Sequence, residues 1–164
     1  MKVLIIGANG RTGRLVVEEA QKLGHEVVAM ARRPIDGFDG KMVVGTPTSR
    51  DDLVSALDGV DTVIGCLASN GVDQICLQTT KLLHDCALNG SRYVLIGGAA
   101  VNVEADQKGF MDHFASSMTR LFAGKMVAER QAELDFLQKS HLNYTFLRPP
   151  QLVDKPAREA FAFT

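Results

Sequence analysis

Val3-Leu4-Ile5-Ile6-Gly7-Ala8-Asn9-Gly10-Arg11-Thr12-Gly13 is the stretch that decides the fold of this chain. The four apolar residues read as a buried strand and the spaced glycines as a tight turn. The next residues, Arg14-Leu15-Val16-Val17-Glu18-Glu19-Ala20, carry a helical pattern. A buried strand that turns on glycines into a helix is the usual opening of a dinucleotide site. Its glycines let a pyrophosphate approach the backbone, and the helix N-terminus offers free N–H groups and a partial positive charge. The spacing is G-x-x-G-x-x-G rather than G-x-G-x-x-G. The strand before the loop and the helix after it therefore carry the reading. Gly7, Asn9, Gly10, Arg11, Thr12 and Gly13 are the expected cofactor loop.

Outward from this loop, short apolar runs alternate with helical ones. Strands are predicted at 2–7, 26–31, 41–45, 61–65, 92–97 and 144–147. Helices are predicted at 11–23, 50–57 and 72–89, with another clearest from 125 to 139; residues 98–110 read as an irregular loop. Such alternation implies a parallel sheet with right-handed crossovers, and near-continuous apolar strands imply a sheet covered on both faces. The expectation is a single α/β domain, a Rossmann-like doubly wound parallel sheet. The final Ala160-Phe161-Ala162-Phe163-Thr164 alternates like the start of a strand. It suggests that the fold continues past Thr164 and that a C-terminal segment is lacking.

Composition narrows the function classes. With 164 residues, 46% hydrophobic and 23% charged, the chain can build one real core and is not of disordered type. A net charge of −1 without a basic excess argues against nucleic acid as a partner. No apolar run is long enough to span a bilayer, and the chain enters a strand directly, so no signal peptide is expected. Cys66, Cys76 and Cys86 are odd in number and lack a C-x-x-C pair, which suits reduced thiols in a cytoplasm. No heptad or apolar stripe forces a dimer, so a monomer is the default expectation.

The second strand ends in Arg32-Arg33, where an NAD-selective site would place an acid for the ribose 2′-hydroxyl. Guanidinium groups instead match a 2′-phosphate with forked, charge-assisted hydrogen bonds, and Arg11 would reach the same group. The sequence thus favours NADP(H) over NAD(H). Ligands of open α/β sheets sit at the carboxyl ends of the strands. That adds Thr46 after the third strand, Cys66, Leu67 and Ala68 after the fourth, Gly97 and Gly98 after the fifth, and Pro149 after the sixth. Cys66 reads as a small lining residue rather than a redox thiol. His84 and Cys86 lie two apart on a helix and face different ways, while His113 and His141 lack ligand-like spacing. No metal site is expected, and there is no G-x-S-x-G elbow.

Taken together, these residues resemble the atypical short-chain dehydrogenase/reductase superfamily, in particular its NmrA-like and biliverdin/flavin reductase group. The shared features are the GANGRTG loop, the Arg-Arg strand end, the GCLAS loop at 65–69, and a lysine-led helix followed by LNYTFLRPPQLVD. The resemblance implies an NADP-binding Rossmann domain with a small-molecule acceptor stacked over the nicotinamide. Members also continue beyond this end of the chain. Departures are plain. The Tyr-x-x-x-Lys pair is absent, because Leu121 stands four residues before Lys125. Tyr93 and Tyr144 fall inside predicted strands. Gly98, Gln151 and Thr46 stand where relatives carry a serine, a histidine or an acid. Lys125 and Gln151 are the remaining weak candidates for a catalytic role.

Carbonyl reduction needs a proton donor near the developing alkoxide. A flavin or quinone can take its proton from water, and ring positioning supplies most of the catalysis. The reading is therefore an NADPH-dependent oxidoreductase acting on a flavin, quinone or similar planar acceptor. The alternative is a non-catalytic NADP(H)-binding sensor or regulator of the NmrA-like type. A nucleotide-sugar epimerase is disfavoured by the missing tyrosine.

Overall fold

The structure, a computed structural model, describes residues 1–86, 91–98, 101 and 110–149, with backbone alone for 110–123. Its elements run β1 (Lys2–Ile6), α1 (Arg11–Lys22), β2 (Glu26–Ala31), β3 (Lys41–Val44), α2 (Arg50–Leu57) and β4 (Thr62–Gly65). They continue with α3 (Ile75–Asp85), β5 (Arg92–Ile96), α4 (Phe110–Lys139) and β6 (Tyr144–Leu147). All six strands join one sheet in the order β3-β2-β1-β4-β5-β6, and every pairing is parallel. This is the doubly wound Rossmann order, with its switch point between β1 and β4.

Period-2 alternation sorts the strand residues between two layers. Leu4, Ile6, Val28, Met30 and Val63 face a core closed by Leu53 and Leu57 of α2, Leu83 of α3 and Leu137 of α4. Val3, Ile5, Val27 and Ala29 face the other way, onto Val17 and Ala20 of α1, with Ile35 and Phe38 of the β2–β3 connection alongside. β1 and β2 are buried on both faces, which is why they read as unbroken apolar runs. Tyr93 is buried in the core and Tyr144 packs against it. Both lie inside strands, as predicted, Tyr93 in β5 and Tyr144 in β6.

Two elements differ from their predicted spans. Helix α3 starts at Ile75 instead of 72, because the Asn70 side chain turns the chain first. Its Oδ1 accepts from Val72 N at 2.9 Å and Asp73 N at 3.1 Å. Gln74 then takes a left-handed backbone, φ 49°, as the N-cap. Helix α4 begins at Phe110, well before the region where its periodicity is clear. It runs through Gly124 and the Ser116-Ser117 pair, residues of modest helix propensity that blur the pattern. The end of the predicted 72–89 helix, the 99–100 and 102–109 parts of the loop, and the alternating C-terminal run lie outside the described residues.

Candidate dinucleotide site

β1 ends at Ile6, and the chain then turns sharply. Gly7 has φ 80°, and a Cβ there would stand 2.9 Å from the Cys66 carbonyl oxygen. Gly7 N and Ala8 N both donate to Met30 O, at 3.0 and 3.1 Å, so the turn is tied to the end of β2. Gly10 N closes the loop on Gly7 O at 2.9 Å. Gly13 lies in the first turn of α1, directly against this loop. A Cβ on it would come 2.8 Å from Ala8 Cα and closer still to Gly7 O. The helix can therefore begin here only without a side chain at 13.

The N-terminus of α1 is left open. Gly10 is its N-cap, no side chain caps it, and its first turn holds no acid. The first N–H groups of a helix have no partner within it. Here no acid of the first turn competes for them, which suits a pyrophosphate. The residues present fit the dinucleotide that the sequence predicts. Asn9 plays a different part from direct contact through its side chain. Its Nδ2 donates to Pro34 O at 3.2 Å, and its Oδ1 accepts from Arg14 Nε at 3.0 Å and Arg14 Nη2 at 2.6 Å. Asn9 thus ties the glycine loop to the segment that carries Arg32 and Arg33, both exposed.

The other predicted residues gather along the same edge, because every strand is parallel and each segment follows a carboxyl end. Gly45 N donates to Ala31 O at 3.0 Å, which carries the β2–β3 register on to Gly45 beside Arg32, with Thr46 next in the chain. Cys66 N donates to Ile6 O at 2.8 Å, which sets Cys66, Leu67 and Ala68 beside the glycine loop. Gly97 N donates to Leu147 O at 2.8 Å, bringing Gly97 and Gly98 next to the end of β6, where Pro149 follows. Lys125 is exposed on α4, and its Cβ lies where a side chain on Gly71 would fall, 2.8 Å away. Gln151 lies outside the described residues.

What the sequence reading missed is the buried polar network that docks α4 on the β4–α3 loop. Glu129 and Glu133 are nearly inaccessible, at 4% and 1%. Glu129 accepts from the Ser69 hydroxyl, and from Cys76 N at 2.8 Å. Glu133 accepts from Thr80 Oγ1 at 2.7 Å and pairs with Arg130 Nη1 at 2.5 Å. The other Arg130 nitrogen donates to the Leu67 carbonyl. Two carboxylates four residues apart share one helix face. Their spacing was visible in sequence, but it reads equally well as a solvated stripe. A second missed contact is His84 Nε2 with His141 Nδ1, 3.3 Å apart. It lies at the end of α3 that leads into β5, away from the glycine loop. Among the described residues no group of three or more ligands could hold a metal ion.

Burial pushes the Cys66 thiol up to about 11 and the Cys76 thiol up to about 12. Cys66 is therefore protonated at neutral pH. At pH 8 its alkylation by iodoacetamide in the native protein is expected to run about a hundredfold slower than in urea, in proportion to the lost thiolate. Peptide-resolved mass spectrometry over time measures this. A native rate matching the unfolded one contradicts the burial.

This geometry defines a dinucleotide-binding α/β domain. The chain belongs to the NAD(P)H-binding family whose description covers residues 7–164. It is 29% identical to an uncharacterized chloroplastic protein of Arabidopsis thaliana, over 94% of this chain and 60% of that one. It is 27% identical to the photosystem II assembly factor Ycf39 of Cyanophora paradoxa, over 90% of this chain and 44% of that one. It thus spans about half the length of these curated relatives. Among solved structures, a candidate NADH-flavin reductase from Streptococcus pneumoniae TIGR4 superposes with a TM-score of 0.70 at 26% identity. That match covers 91% of this chain and 71% of the other. These likenesses agree with the atypical short-chain dehydrogenase/reductase resemblance. No helix among the described residues is long and apolar enough to cross a membrane.

Proposed function

We propose that this chain is an NADPH-dependent reductase domain that passes hydride to a planar acceptor of the flavin, quinone or tetrapyrrole class. The observation that carries the reading is the pair Arg32 and Arg33 at the end of β2, tethered to an anion-ready glycine loop through Asn9 and Pro34. A 2′-phosphate there meets guanidinium groups in the place where a 2′-hydroxyl would need an acid. The likeness to a candidate NADH-flavin reductase supports the acceptor class.

In this reading the open N-terminus of α1 and the glycine loop hold the pyrophosphate. Cys66, Leu67, Ala68, Gly97 and Gly98 wall the crevice at the switch point, where the reacting ring would lie. The bound nicotinamide supplies the hydride. The protein's part is to orient the two rings and limit water access, since no tyrosine precedes Lys125 at the usual spacing. The β4–α3 wall keeps its shape through Glu129 and Arg130.

Replacing Arg32 and Arg33 together by alanine is expected to weaken NADPH binding roughly 30-fold or more, the loss of charge-assisted contacts, with NADH affinity nearly unchanged. Calorimetric titration of both cofactors measures the split, and equal loss for both refutes the 2′-phosphate assignment. Steady-state NADPH oxidation across a flavin, quinone and tetrapyrrole panel tests the reaction. Turnover on one class supports a reductase. Tight cofactor binding without turnover on any of them favours the sensor.

A further inference from the structure

We propose that His84 and His141 bind an exchangeable divalent transition-metal ion of the zinc class, at the end of the sheet away from the glycine loop. Helix α3 ends at Asp85 and α4 at Lys139. His84 therefore lies in the last turn of one helix, and His141 just past the last turn of the other. The two helices pack side by side, and His84 Nε2 stands 3.3 Å from His141 Nδ1. Fifty-seven residues separate the pair, so spacing along the chain conceals it.

The separation of the two nitrogens suits a metal. Two ligands 3.3 Å apart, each about 2.05 Å from a zinc ion, subtend about 107° at it, close to the tetrahedral angle. A carboxylate stands behind the first ring, with Asp85 Oδ1 3.3 Å from His84 Nδ1. An imidazole that donates Nδ1–H to a carboxylate presents Nε2 as a lone pair, the arrangement of a carboxylate–histidine–metal triad. Phe136 packs against His84 at 80°, with ring centroids 5.4 Å apart, and steadies that ring.

The local field also favours a cation. The C-terminal ends of α3 and α4 converge here, and each carries partial negative charge on its last carbonyls. The basic residue in the last turn of α4, Lys139, is exposed to water. His141 is exposed, and its ring meets that of His84 at 55°. A small rotation of the His141 ring brings both nitrogens onto one ion, with the His141 ring proton then carried on Nε2. Two imidazoles do not enclose a structural ion; water completes the coordination, and the ion exchanges.

The test titrates the full chain with zinc chloride by calorimetry near neutral pH. One ion per chain is expected, with a Kd on the order of 10 μM for two imidazole ligands. His84→Ala and His141→Ala are each expected to weaken binding at least tenfold. Cys86→Ser, which removes the free thiol two residues from His84, should leave it unchanged. Nitrogen-15 NMR of the imidazoles identifies the atoms in the native chain. Zinc is expected to shift His84 Nε2 and His141 Nδ1 and to leave His25 and His113 unmoved. Thermal melts report the folding of each variant, and if a histidine variant fails to fold, the native NMR titration still decides. Absence of zinc binding in the millimolar range overturns the proposal and leaves a plain hydrogen bond between the rings. Shifts at other histidines, or loss of binding in Cys86→Ser rather than in the histidine variants, overturn it as well.

Discussion

Gly13→Ala is expected to abolish dinucleotide binding and to destabilise the domain by about 3 kcal/mol, the upper range for overpacking a tight contact. The added Cβ meets the Gly7 carbonyl and Ala8 Cα, both backbone atoms of the loop that must cradle the phosphates. Neither can swing aside like a flexible side chain. Relief requires α1 to back away from the end of β1, which moves its open N–H groups off the crevice. Gly98→Ala is the control at the same edge, because nothing among the described residues lies within 4 Å of a Cβ built there. It should stay within roughly 0.5 kcal/mol of the native protein. Urea denaturation and cofactor titration on the two variants separate the close approach from a general intolerance of change. Native-like binding by Gly13→Ala would falsify the cradle geometry.

Glu133→Ala is expected to cost about 3–5 kcal/mol, the range for removing one partner of a buried ion pair. The Arg130 side chain is 11% accessible and its partner 2%. Truncation leaves a guanidinium with little water and strands the Thr80 hydroxyl. The cost comes from the orphaned groups, so removing both charges should be milder. Arg130→Met combined with Glu133→Leu is expected to recover more than half of the lost stability. Because Arg130 also holds the Leu67 carbonyl, the double variant should remain folded yet bind cofactor more weakly. Denaturation midpoints for the singles and the double give the coupling. Additive losses contradict the pairing.

The fold was largely legible in the sequence because its strands are buried on both faces. Runs such as Glu26–Ala31 and Tyr144–Leu147 emerge with the bounds the pattern predicts. The strand order follows from right-handed crossovers and from one reversal at the switch point. The gathering of the candidate residues along one edge was legible for a related reason: parallel strands put all their carboxyl ends on one side, so residues after each strand assemble without further information.

The remainder depends on pairs distant along the chain. Ser69 meets Glu129 across 60 residues, and His84 meets His141 across 57. Helical spacing says that Glu129 and Glu133 share a face, but not that this face turns inward. Only the docking of α4 on α3 decides that. Asn9 was read as part of the glycine loop, but its tether to Pro34 required the fold.

The most direct measurement is calorimetric titration of the purified chain with NADPH and with NADH. Tight NADPH binding, at least tenfold stronger than NADH binding, is the predicted result, since a 2′-phosphate gains charge-assisted contacts that a hydroxyl lacks. Equal affinities, or a preference for NADH, would contradict the part assigned to Arg32 and Arg33. Binding of neither would contradict the dinucleotide site itself.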